Sequence, residues 1–278
     1  MHSTRSVLSL IAIACLVAGC PSEADEPSGD EAPAEGSGAP TSGEAANAKP
    51  EQRPSGAAET VELQTADGKT LAATLRRGGR PQAPAVVLVH GLASDRSEWE
   101  PLVETLSEPP GLTTLAVDMR GHGDSEGGPD GWRDFGRDDW PAIGKDVVAA
   151  VGYLADDAHG LAPEHIVAVG ASLGSSAVAV AAAEDDRIDA VALLSPGRAH
   201  RGVDAITPVD QLGARPLLAL AAKGEQHSVQ TATDMARIAE RGTKKLCDGS
   251  AHGVAMLPES AELKDALVEF IRNPERAL

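Results

Sequence analysis

The feature that most constrains this chain is a run of strand-forming residues that stops at a serine bracketed by glycines. Residues 165–174 read His-Ile-Val-Ala-Val-Gly-Ala-Ser-Leu-Gly. Ile166, Val167 and Val169 favour extended backbone, whereas the alanine-rich stretch from Ser175 to Ala183 favours helix. The reversal between them must be completed within Gly170–Gly174, which places Ser172 at the apex in a strained conformation. Gly170 and Gly174 lack the side chains that would collide where the helix folds back over the strand. Gly-x-Ser-x-Gly alone is a weak signal, so its meaning depends on what the other loops supply.

The rest of the chain repeats the strand-then-helix theme. Val61, Leu63 and Thr65 alternate with polar residues, Asp67-Gly68 marks a turn, and Leu71–Leu75 follows, which predicts an antiparallel hairpin at a sheet edge. Continuous apolar runs at Ala85–Val89, Leu112–Val117, Ala190–Leu194 and Leu217–Ala221 fit strands buried on both faces, and Lys244–Cys247 reads as a further strand. Helices are predicted over Arg96–Ser107, Trp140–Leu154, Val229–Glu240 and Ser260–Ile271, while Ser195–Arg215 shows little periodicity. The alternation predicts one α/β domain over residues 60–278: a mostly parallel, twisted sheet covered by helices on both faces, with reactive groups on loops at the carboxyl ends of the strands. Aromatic residues make up only 2% of the chain, so its core must rest on Val, Leu, Ile and Ala.

A serine hydroxyl needs a general base within hydrogen-bond reach, and the base needs an acid to fix its tautomer. His252, in Gly-Ser-Ala-His-Gly beyond the last predicted strand, is the candidate base. His200 and His227 lie in polar surroundings that read as ordinary surface, and His90 reads as a brace for its own loop. The acid should follow the strand Leu217–Ala221, where Glu225 stands in Lys-Gly-Glu-Gln-His. Asp204 is the alternative acid, and Asp248 is too near His252 in sequence to orient it. An oxyanion would need two backbone N–H groups. Leu173 follows the serine at a helix N-terminus, and Leu92 follows His90-Gly91 on a loop leaving a neighbouring strand.

Taken together, His90-Gly91-Leu92, Arg120-Gly-His-Gly-Asp-Ser125, Gly170-Ala-Ser-Leu-Gly174 and Ala251-His-Gly253 resemble the α/β-hydrolase superfamily, near its dienelactone-hydrolase and small carboxylesterase branch. The resemblance spans Val61 to about Ile271. It implies a Ser172–Glu225–His252 triad, an acyl-enzyme intermediate on an ester or thioester substrate, no cofactor and no metal. Two departures stand out: glutamate occupies the acid position where aspartate is common, and about twenty residues between Leu194 and Leu217 leave room for only a minimal cap. A shallow, open site for broad or bulky substrates is the expectation from the second.

The chain's start carries an address. Arg5, the apolar run Val7–Val17 and the sequence Val-Ala-Gly-Cys20 have the layout of a secretory signal that is too short to span a bilayer permanently. The small residues before Cys20 resemble the lipobox of bacterial lipoproteins, which implies removal of residues 1–19, lipidation of Cys20 and attachment to a membrane in the periplasm or at the cell surface. An ordinary signal peptide is the plainer reading. Residues 20–59 are rich in Pro, Glu, Ala, Gly and Ser, a composition expected to form a disordered tether. Residues 21–60 carry nine acids and two bases, a net of −7, so more than a third of the chain's formal charge of −18 falls in the tether. That charge argues against a nucleic-acid partner.

Three other functional classes are weaker. A peptidase would call for an acidic subsite, for which Glu126, Asp130, Asp134, Asp138 and Asp139 are available. A non-catalytic scaffold has no physical need for the intact serine, histidine and glycine loops. A metal site built from His90, His122 or His252 lacks a close ligand pair. Cys247 is the single cysteine beyond Cys20, so no disulfide framework holds the domain.

Overall fold

The computed structural model describes residues 56–80 and 82–276. Residues 1–19, Cys20 and all but the last four residues of the 20–59 segment lie outside the described residues. The alternating segment forms the antiparallel pair β1 (Ala58–Gln64) and β2 (Thr70–Arg76) around the Asp67-Gly68 turn. The apolar runs become β3 (Ala85–Val89), β4 (Thr113–Val117), β5 (Ile166–Ala171) and β6 (Ala190–Leu194). After a small hairpin, β7 (Ala199–His200) and β8 (Val203–Asp204), come β9 (Leu217–Ala222) and β10 (Gly242–Cys247). The main sheet runs β1-β2-β4-β3-β5-β6-β9-β10; β2 is antiparallel to both neighbours and every other adjacent pair is parallel.

Parallel neighbours need crossover connections, and helices supply them on both faces. Those between strands are α1 (Glu100–Ser107), α2 (Gly144–Ala155), α3 (Leu173–Glu184), α4 (Thr207–Asp210) and α5 (Gln226–Ile238), while α6 (Met256–Glu259) and α7 (Ala261–Arg272) follow the last strand. The alternation of side chains along β3 divides the core: Val87 and Val89 belong to one buried cluster with Val147 and Val151 of α2, Val178 of α3 and Met235 of α5, while Val86 and Leu88 belong to another with Leu102 and Leu106 of α1 and Leu267 and Phe270 of α7. Each fully buried valine or leucine contributes roughly 1.5–3 kcal/mol of hydrophobic stabilisation, which is how a chain with few aromatics holds two core layers.

The structure adjusts several element boundaries. Arg96–Trp99 forms a separate 3₁₀ turn before α1 because Asp95 caps it, accepting the Ser97 N–H at 2.8 Å. Helix α5 begins at Gln226, three residues before its predicted start, where the polar trio Gln-His-Ser hides the helical period. The aperiodic segment 195–215 contains the β7–β8 hairpin and the single-turn α4. Its two-residue turn holds Arg201 at φ 51° and Gly202 at φ 86°. Arginine is not a residue that announces such a turn, but here its guanidinium lies 5.3 Å from the Trp140 ring centroid, a contact that offsets the unfavourable backbone.

Sheet register sets the geometry of the site. Val89 pairs with Gly170, and Ala171 pairs with Leu194, so the loops after β3, β5 and β6 leave the sheet side by side. Ala222 pairs with Cys247, bringing out the loops after β9 and β10 together.

Candidate active site

Ser172 follows β5 directly and sits at φ 52° and ψ −114°, a backbone region that costs a non-glycine residue strain. The surroundings hold it there. Its N–H donates to Leu194 O at 2.9 Å, and the Ser175 hydroxyl shares its one proton between Gly170 O at 2.8 Å and Leu194 O at 3.0 Å. Both flanking glycines are sterically required: a Cβ on Gly170 would lie 2.2 Å from Gly174 O, and one on Gly174 would lie 2.3 Å from Val89 O. The serine side chain is thereby presented at the N-terminus of α3.

The loops after β9 and β10 bring the expected base and acid together. His252 Nδ1 lies 2.5 Å from Glu225 Oε1, a charge-assisted contact that orients the imidazole. Glu225's other oxygen, Oε2, accepts the buried Ser195 hydroxyl at 2.6 Å. Asp204, the alternative acid, is committed elsewhere: Oδ1 accepts the Ile206 N–H at 2.9 Å and Oδ2 accepts the Thr207 hydroxyl at 2.5 Å, so it caps the turn into α4. Asp248 forms an exposed pair with Lys223 at 2.6 Å. Among the described residues, no hydrogen bond joins Ser172 Oγ to His252, although both face one cavity.

The loop after β3 is clamped beside the serine. A Cβ on Gly91 would stand 3.5 Å from Ser172 Cβ. Glu98, half-buried in the turn before α1, accepts the Gly91 N–H at 3.0 Å and the Ser94 hydroxyl at 2.6 Å. Burial raises the Glu98 pKa, and these two donors oppose that rise. His90 braces the same loop from below, with Nδ1 2.7 Å from Gly91 O and Nε2 accepting the Met119 N–H at 3.0 Å. Burial pushes the His90 pKa down to about 4, so the ring is neutral at neutral pH. Among the described residues the N–H groups of Leu92 and Leu173 meet no protein acceptor; Leu173 is the first residue of α3 and has no helical carbonyl to bond.

Ser172, His252 and Leu92 line a cavity of about 500 Å³ whose remaining wall is mostly apolar, with Pro101, Leu102, Val254 and Leu257 prominent. Its polar edge includes Ser94, Glu98 and Lys264. Three of the five acids considered for a peptide subsite are engaged locally: Glu126 pairs with Lys69 at 2.6 Å, Asp130 with Arg133 at 2.8 Å, and Asp139 accepts the Gly136 N–H at 2.7 Å. His200 departs from the surface reading. It is half-buried, 3.1 Å from the Ser176 hydroxyl, and burial followed by the nearby His252 and His227 lowers its pKa. His227 is exposed on α5 as expected. Among the described residues no group of three or more His, Cys, Asp or Glu is arranged to hold a metal ion.

Ser195 and Glu98 carry no sequence signal of their own. Only the placement of one beside the acid, and of the other beneath the β3 loop, marks them.

Comparison with solved structures finds the same architecture in distant proteins. A Pyrococcus furiosus esterase, Pf2001, is 18% identical with a TM-score of 0.62, covering 78% of this chain and 93% of that one. Dienelactone hydrolase from Anabaena variabilis is 18% identical with a TM-score of 0.64, covering 78% and 98%. The α/β hydrolase GrgF from a Penicillium species is 15% identical with a TM-score of 0.65, covering 80% and 100%. At these identities the likeness is one of fold. No curated protein sequence matches the chain. Residues 84–222, half of the chain, match the family described as the alpha/beta hydrolase fold. With its elbow serine, sheet order and strand-end loops, the chain belongs to the α/β-hydrolase family.

Proposed function

We propose that this protein is a serine hydrolase that cleaves carboxylic esters or thioesters through an acyl-enzyme intermediate. The observation that carries the reading is the His252–Glu225 contact at the rim of a cavity that also contains the strained Ser172. In this mechanism Ser172 Oγ attacks the substrate carbonyl carbon as its proton passes to His252 Nε2. Glu225 stabilises the imidazolium without taking its proton. The tetrahedral oxyanion is received by the N–H groups of Leu92 and Leu173, each worth about 3 kcal/mol in the transition state. Collapse expels the alcohol or thiol, which takes the proton from His252, and water repeats the sequence to free the acid and restore Ser172.

Ser172 and His252 are not hydrogen-bonded to each other, and such contacts commonly tighten only in the substrate complex. The apolar wall favours an ester with an apolar acyl or alcohol group over a charged peptide. Support for the hydrolase class comes from family membership and from esterase and dienelactone-hydrolase folds among the structural neighbours.

Full-length protein treated with a fluorophosphonate probe should carry the adduct on the peptide containing Ser172, with none in Ser172→Ala and far less in His252→Ala. A folded wild-type protein that takes no adduct overturns the reading. Glu225→Gln should slow an activated ester by about 10³–10⁴-fold; if Asp204→Asn does so instead, the acid is misassigned. We also propose that Cys20 is lipidated after removal of residues 1–19 and holds the domain outside the cytoplasm on the 20–59 tether. Detergent partitioning that persists in Cys20→Ser refutes this.

A further inference from the structure

Ser195 is the first residue after β6 and has 1% of its surface exposed. Its N–H donates to Leu220 O at 2.8 Å, fixing it to β9, and its backbone sits at φ 46°. Its hydroxyl donates to Glu225 Oε2 at 2.6 Å and accepts the Gly253 N–H at 2.9 Å. One oxygen atom therefore joins the ends of three segments: β6, the loop after β9 that carries Glu225, and the loop after β10 in which Gly253 follows His252.

We infer that Ser195 is a positioning residue for the His252–Glu225 pair, an inference that rests on the proposal that this pair serves Ser172. A glutamate side chain has one more rotatable bond than aspartate, so a single contact at Oε1 leaves its carboxylate free to swing. The Ser195 hydroxyl removes that freedom by binding Oε2 while Oε1 faces His252 Nδ1. A hydroxyl has one proton to donate, and Glu225 takes it. The Gly253 N–H then fills a lone pair on the same oxygen, which sets the backbone immediately after His252. Acid and base are thus held from one atom, and the longer acid at this position is matched by a second anchor. Ser195 does not line the cavity that Ser172 and His252 share.

Position 195 also separates the hydroxyl's role from that of the fold. At positive φ, glycine is more comfortable than any residue with a Cβ, so Ser195→Gly removes the hydroxyl while relieving the backbone. In full-length protein, Ser195→Gly and Ser195→Ala are compared with wild type for melting temperature, for kcat, KM and their pH dependence on p-nitrophenyl butyrate, and for the downfield proton signal of His252 Nδ1–H, assigned by its loss in His252→Ala. The expected result for Ser195→Gly is a folded protein that melts above Ser195→Ala, since both lose the hydroxyl's hydrogen bonds and only glycine relieves the backbone, with an unchanged KM. Its kcat should be lower by about ten- to a hundredfold, well short of the ~10⁴-fold loss when the orienting acid itself is neutralised. Negative charge no longer shared with the hydroxyl concentrates on the carboxylate facing His252. The acid limb of the rate profile therefore moves to higher pH, and the proton signal shifts or broadens. Unchanged kcat, limb and signal in a folded Ser195→Gly protein overturn the inference. So does a kcat loss that appears only in Ser195→Ala and tracks its melting temperature. If the wild type takes no fluorophosphonate adduct, the hydrolase reading fails, and the proton signal decides alone: a shift supports the positioning role and an unchanged signal overturns it.

Discussion

The buried imidazole of His90 should cost the domain stability as pH falls from 6.5 towards 4. His90 ends β3 with no exposed surface, and its ring centroid lies 4.9 Å from that of His122. Because Nε2 accepts the Met119 N–H, a proton added there would set two donors against each other and bury a charge. Its pKa falls from 6.5 to about 4 on folding, through burial first of all. The unfolded chain therefore binds a proton more readily than the folded one between those values. The stability that neutral His90 contributes is complete above pH 6.5 and is lost as pH falls towards 4. At 1.36 kcal/mol per pKa unit the loss is about 3 kcal/mol, a large share of the ~5–15 kcal/mol that holds a typical domain. Urea unfolding of full-length protein at pH 7, 6, 5 and 4 measures it, with His90→Gln as reference, since a glutamine can accept from Met119 and donate to Gly91 without titrating. Wild type should lose about 3 kcal/mol relative to the variant across this window, while Asp146, Glu98 and His122 titrate in both proteins and largely cancel in the difference. Stability curves that run parallel in the two proteins refute the reasoning.

Other consequences follow from the same geometry. Glu98→Ala frees the loop carrying Leu92 by removing the acceptor for the Gly91 N–H and the Ser94 hydroxyl, and should lower kcat on p-nitrophenyl butyrate by about 10²-fold; Glu98→Gln, which keeps one acceptor, should lose less, and equal rates in all three proteins contradict the clamp. Arg120 bonds to Asp146 through Nε at 2.8 Å and its backbone N–H at 2.8 Å, with both side chains nearly inaccessible. Asp146→Ala should therefore cost about 3–5 kcal/mol, or about 6–20 °C in calorimetric melting temperature, and a drop below ~3 °C rules out a buried pair of that weight. Gly174→Ala drives a Cβ into the carbonyls of Val89 and His90 at 2.3 and 2.6 Å. It should cut the rate of fluorophosphonate labelling by at least ~10²-fold through displacement of the elbow from the β3 loop; wild-type labelling shows that the backbone gives way at no cost.

The elements that were legible in the sequence are those decided by one local cause. Ala190–Leu194 is apolar at every position, is buried at every position, and has the boundaries its pattern predicts. The order of glycine loops is equally local, because Gly170 and Gly174 are demanded by contacts of 2.2–2.3 Å that no other residue permits. What remained hidden depends on distant partners. Helix α5 starts early on residues with no apolar period, and the β7–β8 turn uses Arg201 because Trp140, 61 positions earlier, meets its guanidinium. Glu225 follows β9 and Asp204 ends β8, and both lie between the serine and the histidine in chain order. Nothing short of the fold shows that Asp204 spends its oxygens on Ile206 and Thr207 while Glu225 faces His252.

The same distinction explains why a candidate site could be outlined in the sequence before its supports could. Strand register converts position along the chain into position in space: Val89 beside Gly170 and Ala171 beside Leu194 mean that residues one to three places beyond each strand end must meet. Gly91, Ser172 and Ser195 share that offset, and the parallel pairing of Ala222 with Cys247 brings Glu225 and His252 out together, three and five residues beyond. A slip of one residue in any of these pairings would turn every inward side chain of that strand outward, so the two-layer apolar core that fixes the register also fixes the site. The candidate nucleophile and base are recognisable because Gly-x-Ser-x-Gly and a histidine in a glycine-containing loop say more than a lone residue near a strand end. Ser195 directly follows β6 and Glu98 lies in the turn nine residues beyond β3, with no motif around either, and only the hydrogen bonds they make to Glu225, Gly253 and Gly91 distinguish them.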